Sequence, residues 1–230
     1  MSERTHGLFI TGTGTDVGKT YASALILKSL REAGFDAGYY KAAVSGVVYD
    51  AEGRIHSDAT FVASQAHLPE SHDDLVSFTY QTAVSPHLAA RLEGNPVSLD
   101  VIRHDYQCAC ARHDYLLVEG SGGIVCPLHW EEDNHLMLED VVVALNLGVL
   151  IVADAGLGTL NALMTTATYL RERNIETRGI ILNNFVMGNV MHEDNCSMST
   201  ELTRLPVVAR IAPGATRLDI EASHLAHLFA

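Results

Sequence analysis

The residues best equipped for chemistry stand at 12–20, where Gly12-Thr13-Gly14-Thr15-Asp16-Val17 leads into Gly18-Lys19-Thr20. Backbone N–H groups of a glycine-rich turn cradle phosphate oxygens, and the helix that follows aims its positive N-terminal end at the same anion. In that pattern Lys19 reaches the terminal phosphates and the Thr20 hydroxyl sits on Mg²⁺. The usual spacing leaves four residues before Gly-Lys-Thr, which would put Thr13 at the first glycine position. Here five residues, 13–17, separate Gly12 from Gly18. The apolar Phe9-Ile10 before the turn and the helical pattern after it supply the context that the motif requires.

Other polar residues follow apolar runs. A nucleotide's magnesium takes one or two carboxylates together with phosphates and water. Glu119 ends Leu116-Leu117-Val118, and Asp154 ends Ile151-Val152-Ala153. Both fit an apolar run closed by an acid, and periodicity does not choose between them. Asp154 has the shorter carboxylate, whereas Glu119 is followed by Gly120-Ser121-Gly122-Gly123, which permits close backbone approach to a ligand. Asp58, at a helix start, is a third candidate and equally a plain N-terminal helix acid. The chain has only three lysines, Lys19, Lys28 and Lys41, and two of them follow strand-like runs. Lys41 either snorkels to water or sets a second positive charge beside a transferred phosphoryl group. Asn183, after Ile181-Leu182, either reads a base or caps the next helix.

The elements that must position these residues alternate. Gly7 to Thr11 reads as a strand, followed by a helix with Ala22, Leu25, Ile26, Ser29, Leu30 and Ala33 on one stripe and Gly34 as C-cap. Ala37 to Lys41 reads as a second strand, residues 42–56 as a loop, and Ser57-Asp58 as a helix start with Phe61, Val62, Gln65 and Ala66 on one side. Pro69 to Asp74 reads as linker, Ser85-Pro86 to Gly94 as a short helix, and 98–112 as another. Buried strands follow at 115–118, 149–153, 179–182 and 205–211, with helices from Leu138 to Leu145 and through Leu160, Leu163, Met164 and Ala167. This rhythm predicts a single α/β domain over 1–230, a doubly wound, mostly parallel sheet with helices on both faces, in the manner of P-loop NTPases. Sites in such sheets lie at the carboxyl ends of strands.

A net charge of −13 argues against nucleic acid or an anionic membrane as partner, since both need clustered Lys and Arg. No stretch approaches the roughly 20 apolar residues of a membrane helix, and no secretory signal opens the chain, so a cytoplasmic protein is expected. Cys108, Cys110, Cys126 and Cys196 form no Cys-x-x-Cys, which fits a reducing compartment, and the Cys108–Cys110 pair reads as small buried residues.

Taken together, these segments resemble the dethiobiotin synthetase family. Gly12-Thr-x-Thr-Asp-Val-Gly-Lys-Thr20 is similar to its phosphate loop, five-residue gap included. Tyr40-Lys41-Ala-Ala-Val-Ser45-Gly46, His56-Ser57-Asp58-Ala59, Ser85-Pro86-His87, Val118-Glu119-Gly-Ser-Gly-Gly123 and Leu182-Asn183-Asn184 follow in the family's order. The resemblance runs from about residue 8 to 185. It implies that 7,8-diaminononanoate and CO₂ form a carbamate, that ATP phosphorylates the carbamate, and that the second amine closes the ureido ring of dethiobiotin. No covalent enzyme intermediate is implied, so catalysis would rest on positioning and charge.

By position, the resemblance implies Lys19 and Lys41 as the catalytic cations and Thr20, Asp58 and Glu119 as holders of Mg²⁺, which favours Glu119 over Asp154. It implies ATP contacts from Asp16, Val17, Gly18, Lys19, Thr20, Tyr21, Asp58, Glu119, Gly120, Ser121, Gly122, Asn183 and Asn184, with Asn183 reading adenine. Asp16 stands where Glu is usual. Ser45 would contact the substrate. A homodimer would complete the site, with Gly156, Leu157, Gly158, Thr159 and Asn161 receiving the far carboxylate from the neighbour. Two rivals share parts of this pattern. A cobyrinic-acid amide synthase would need a glutaminase domain for which 230 residues leave no room. A partitioning-type ATPase would carry a further lysine early in the loop, where Thr13, Gly14 and Thr15 stand.

Overall fold

The computed structural model describes residues 5–229. Strand β1 (His6–Gly12) and helix α1 (Lys19–Glu32) open the chain, followed by β2 (Ala37–Ser45), a small hairpin of β3 (Val48–Tyr49) and β4 (Ile55–His56), and α2 (Asp58–Ala66). Next come α3 (His72–Leu75), β5 (Val76–Tyr80), α4 (Pro86–Glu93), α5 (Leu99–Cys110) and β6 (Tyr115–Gly123). A second hairpin, β7 (Pro127–Glu131) and β8 (Asn134–Met137), leads to α6 (Leu138–Leu145) and β9 (Gly148–Asp154). The chain closes through α7 (Thr159–Glu172), β10 (Thr177–Asn183), α8 (Val190–Thr203), β11 (Val207–Ile211) and α9 (Ala222–His227).

Seven strands form one parallel sheet in the order β11-β10-β9-β1-β6-β2-β5. Alternation along each strand feeds two cores. Phe9, Tyr40, Leu116 and Val118 pack with α4, α5, α6 and α7. Leu8, Ile10, Tyr39 and Leu117 pack with α1, α2 and α9. This is the doubly wound arrangement that the continuous apolar runs predict.

The strands reach further than their apolar runs. β2 extends to Ser45, so Ala42 to Ser45 are strand rather than loop, and β6 runs on through Glu119 to Gly123. A parallel neighbour satisfies backbone groups regardless of side-chain polarity, which is why hydropathy ends too early. β5 lies inside a stretch that shows no strand run: as the sheet's outer strand it alternates buried Val76, Phe78 and Tyr80 with half-exposed Ser77 and Thr79. Helix α1 is buried beyond a single stripe, at Ala24 and Leu27 as well, because α2 and α9 also cover it. Ala33 is exposed as its C-cap, and Phe61 and Gln65 on α2 face outward. Cys108 is likewise exposed and Cys110 half-buried, contrary to the expectation for that pair.

At the foot of the sheet, His113 ties three connections together. Its ring nitrogens stand 2.8 Å from Asp36 Oδ1 and 2.9 Å from Glu70 Oε1. Gly38 leaves room for this ring, since a Cβ there would lie 2.0 Å from it. Gly38→Ala is therefore expected to cost about 2 kcal/mol by overpacking. Gly34→Ala, at φ +89° with open space around it, is expected to cost about 1 kcal/mol of backbone strain alone. Urea unfolding of the two variants checks the order.

Candidate functional site

The register of the sheet builds the site. Lys41 of β2 is the lateral partner of Glu119 of β6, and Glu119 is also in register with Ile10 of β1 just before the phosphate loop. Lys41 and Glu119 follow Tyr39 and Leu117 on the face that α1 covers. The Lys41 ammonium lies 2.8 Å from Glu119 Oε1 and 2.6 Å from Asp58 Oδ2. Asp58 arrives as the first residue of α2, whose Ser57 cap accepts from Thr60 N. Thr20 Oγ1 donates to Glu119 Oε1 at 2.8 Å, and Ser23 Oγ donates to Oε2 at 2.7 Å.

Lys41 is 3% exposed and Glu119 is 1% exposed. Burying either charge alone would be costly, so each requires the other. Burial pulls the Lys41 ammonium down, but the Glu119 and Asp58 carboxylates outweigh it and the net shift is upward. Burial also works against the Asp58 carboxylate, yet Lys41 reverses this and holds it below its ordinary value. Lys19 goes the other way: burial first, then repulsion from Lys41, lowers it. An anion entering between the two lysines would relieve both effects on Lys19.

The phosphate loop is held in a shape that few side chains allow. Thr13 N donates to Val152 O at 3.0 Å, and Lys19 Nζ arches back to Gly14 O at 3.3 Å. Gly18, the N-cap of α1, has φ +95°, and a Cβ there would stand 2.1 Å from Asn183 Nδ2. Asp16 has φ +60°, a conformation that the short Asp side chain tolerates better than most.

A cavity of about 880 Å³ opens over this cluster. The loop supplies Thr15, Asp16, Gly18, Lys19, Thr20 and Tyr21, while Lys41, Ser45, Asp58, Ser121 and Gly122 stand on its other walls. Apolar walls come from Val44, Phe61, Val84, Pro86, Val125 and Pro127. Buried Cys126 joins them, its thiol pushed up to about 11 chiefly by burial. Thr20, Asp58 and Glu119 bring together a hydroxyl and two carboxylates around one cationic group, an all-oxygen donor set that suits Mg²⁺.

Several candidates also have partners within the frame. Asn183 is 7% exposed and its amide nitrogen donates to Val17 O at 3.0 Å. Asn184 donates to Asp154 Oδ2 at 2.7 Å, while Asp154 Oδ1 accepts from Gly156 N at 2.8 Å. Asp154 is thus committed to its own loop. Gly120 is a packing position, since a Cβ would lie 2.8 Å from Phe9. Ser45 and Ser121 reach the cavity, but their hydroxyls donate to Val84 O and Ala43 O. The Tyr21 hydroxyl donates to Ala215 O. Gly156, Leu157, Gly158, Thr159 and Asn161 do not line the cavity. They lead from β9 into α7, where Asn195 of α8 donates to the carbonyls of Ala155 and Gly156. Sequence reasoning passed over Ser23, although it stands one helical turn after Thr20, and over the β7–β8 hairpin that brings Pro127.

Comparison with known proteins adds to this geometry. A family model described as an AAA domain matches residues 6–216. A protein of Brachyspira hyodysenteriae named ATP-dependent dethiobiotin synthetase BioD is 47% identical over 92% of this chain and 94% of that protein. Proteins of the same name from Clostridium perfringens and Clostridium botulinum (strain Langeland) are 44% and 40% identical. The first match covers 86% of each chain and the second 97% of each. Among solved structures, the MinC:MinD cell division protein complex of Aquifex aeolicus aligns with a TM-score of 0.54 at 13% identity, covering 90% of this chain and 81% of that one. That likeness is one of fold alone.

The buried ion pairs dictate a response to pH. Asp58 is depressed by Lys41, so its stabilising contribution is complete above the ordinary carboxylate value of 3.8 and disappears as pH falls below it. In Lys41→Met the main force opposing burial is lost, only Lys19 and Thr20 still favour the Asp58 carboxylate, and its carboxyl rises. Relative to the parent chain, the unfolding free energy of this variant should increase as pH is lowered from 7 to 5. Urea titrations at the two pH values measure the difference.

Proposed function

The chain belongs to the family of ATP-dependent dethiobiotin synthetases, carbon–nitrogen ligases of biotin synthesis, and from that premise we propose how its own residues divide the reaction. The observation that carries the proposal is the convergence of two buried lysines, Lys19 and Lys41, on one cavity. Such a site suits chemistry in which substrates attack one another and the protein positions them and balances negative charge.

One amine of 7,8-diaminononanoate adds to CO₂ and loses a proton, giving a carbamate. A carbamate oxygen then forms a bond to the γ-phosphorus of ATP as the bond to ADP breaks. The second amine attacks the carbamoyl carbon, the C–O bond to phosphate breaks, and a proton leaves with ring closure. Lys41 faces the carbamate and γ-phosphoryl oxygens, where its charge offsets what accumulates in the transition state. Lys19, with the backbone N–H groups of residues 14–19, holds the phosphates. Thr20, Asp58 and Glu119 would hold Mg²⁺, which when bound neutralises phosphate oxygens. Asp16, Gly18 to Tyr21, Ser121 and Gly122 contact the nucleotide from the cavity wall, with Val17 between them in the loop, and Ser45 contacts the diamine. Asn183 and Asn184 act on the nucleotide side by bracing the loop and Asp154, and Asn183 is the residue assigned to adenine.

We also assign a homodimer. Thr159, at the N-terminus of α7, has a buried hydroxyl oxygen with no hydrogen-bond partner among the described residues. Helix starts attract carboxylates. Leu157, Met187 and Val190 at the same end of the sheet are 94%, 78% and 84% exposed, an apolar surface that a second copy would cover. In the dimer, Gly156 to Asn161 of one copy receive the substrate's far carboxylate from the cavity of the other.

Incubation with ATP, Mg²⁺, bicarbonate and diaminononanoate should release ADP only when the diamine is present; equal release without it would sink the proposal. Lys41→Ala should reduce turnover by at least about 100-fold, the scale of losing one preorganised charge, while calorimetry still detects nucleotide binding. Thr159→Val should raise the KM for the diamine and leave the KM for ATP unchanged.

A further inference from the structure

Glu119 is held at both of its oxygens, and only one of them faces the cations and hydroxyl of the reaction side. Oε1 accepts from Thr20 Oγ1 and from Lys41 Nζ, each at 2.8 Å. Oε2 accepts from Ser23 Oγ at 2.7 Å. Thr20 and Ser23 are three residues apart on α1, so one helix turn delivers one hydroxyl to each oxygen. Ser23 is 0% exposed and Glu119 is 1% exposed, so no bulk water can replace the serine as donor.

A carboxylate gripped at one oxygen still swings about its Cγ–Cδ bond. Gripped at both, its plane is set. Ser23 also occupies a position that an apolar side chain would fill more cheaply: its neighbours Ala22, Ala24, Leu25, Ile26 and Leu27 are all buried and apolar. A hydroxyl placed there, fully buried and aimed at a carboxylate, is explained by what it holds. The geometry points to Ser23 as a positioning residue, which fixes the plane of the Glu119 carboxylate so that Oε1 presents to the magnesium and Lys41 side of the site. The inference rests on the proposed role of Glu119 and adds to it the group that orients that acid. Partners behind metal-binding side chains have effects of this kind, and losing one weakens the metal by 10–100-fold.

The test is Ser23→Ala, which deletes only the hydroxyl. ADP affinity is measured calorimetrically in EDTA and across a magnesium titration, and melting temperature is recorded alongside. Binding in EDTA should match the parent chain within about twofold, because Lys19 and the loop are untouched. The magnesium concentration that half-saturates the tightening of ADP should rise about tenfold. In turnover the same shift should appear in the KM for magnesium, with kcat at saturating metal largely kept. A magnesium dependence equal to the parent's within twofold would overturn the assignment and leave Ser23 as a core hydroxyl. A parent chain whose ADP affinity ignores magnesium would overturn the metal-holding role of Glu119 itself, and this inference with it. If Ser23→Ala does not fold, Ser23→Cys, similar in volume but a weak donor, is read by the same titration.

Discussion

A lysine ammonium buried between two carboxylates makes the rest of this site intelligible. Lys41 cannot stay charged in the interior without Glu119 and Asp58, and the two acids cannot stand so close without a cation between them. The three groups come from β2, β6 and α2, so their mutual need draws together two neighbouring strands and a helix that packs beside α1. Lys19 is placed within reach of the same field but has no carboxylate of its own among its hydrogen-bond partners, only the Gly14 carbonyl. Lys41 is held by two carboxylates, and Lys19 stands beside it held only by a carbonyl.

That division suits the reaction of the family. Carbamate formation, phosphoryl transfer and ring closure each concentrate negative charge on oxygens that belong to substrates rather than to the protein. A site of fixed cations and backbone N–H groups needs no nucleophile of its own. Val44, Phe61, Val84 and Pro127 give the cavity apolar walls beside these cations.

Much of this was legible in the sequence because the strand ends carry both the periodicity and the chemistry. The phosphate loop, Lys41 and Glu119 each follow an apolar run, so the same residues that announce a strand also announce where its polar end must lie. Choosing Glu119 over Asp154 required more, since both close such runs. It came from the family resemblance; in the structure Asp154 is bound to Gly156 N and Asn184, and Glu119 to Lys41, Thr20 and Ser23. What could not be read depends on lateral neighbours. β5 has too few apolar residues to stand out, and the continuation of β2 through Ser45 shows only once β5 and β6 flank it. Asn183 read equally as a base contact or a helix cap, and only the fold puts its amide on Val17. Ser23 was hidden by its own ordinariness as a small residue in an apolar helix.

The bond from Asn183 to the Val17 carbonyl joins residues 166 positions apart in the chain. The same asparagine stands against Gly18, where a Cβ has no space. The phosphate loop is therefore a product of late assembly. Its residues precede β10 by a long stretch of chain, yet its shape includes a contact that only β10 supplies. Contacts of such sequence separation form slowly and cooperatively. A nucleotide would thus report on the whole sheet rather than on a local turn, and its binding free energy would add to the stability of the complete fold.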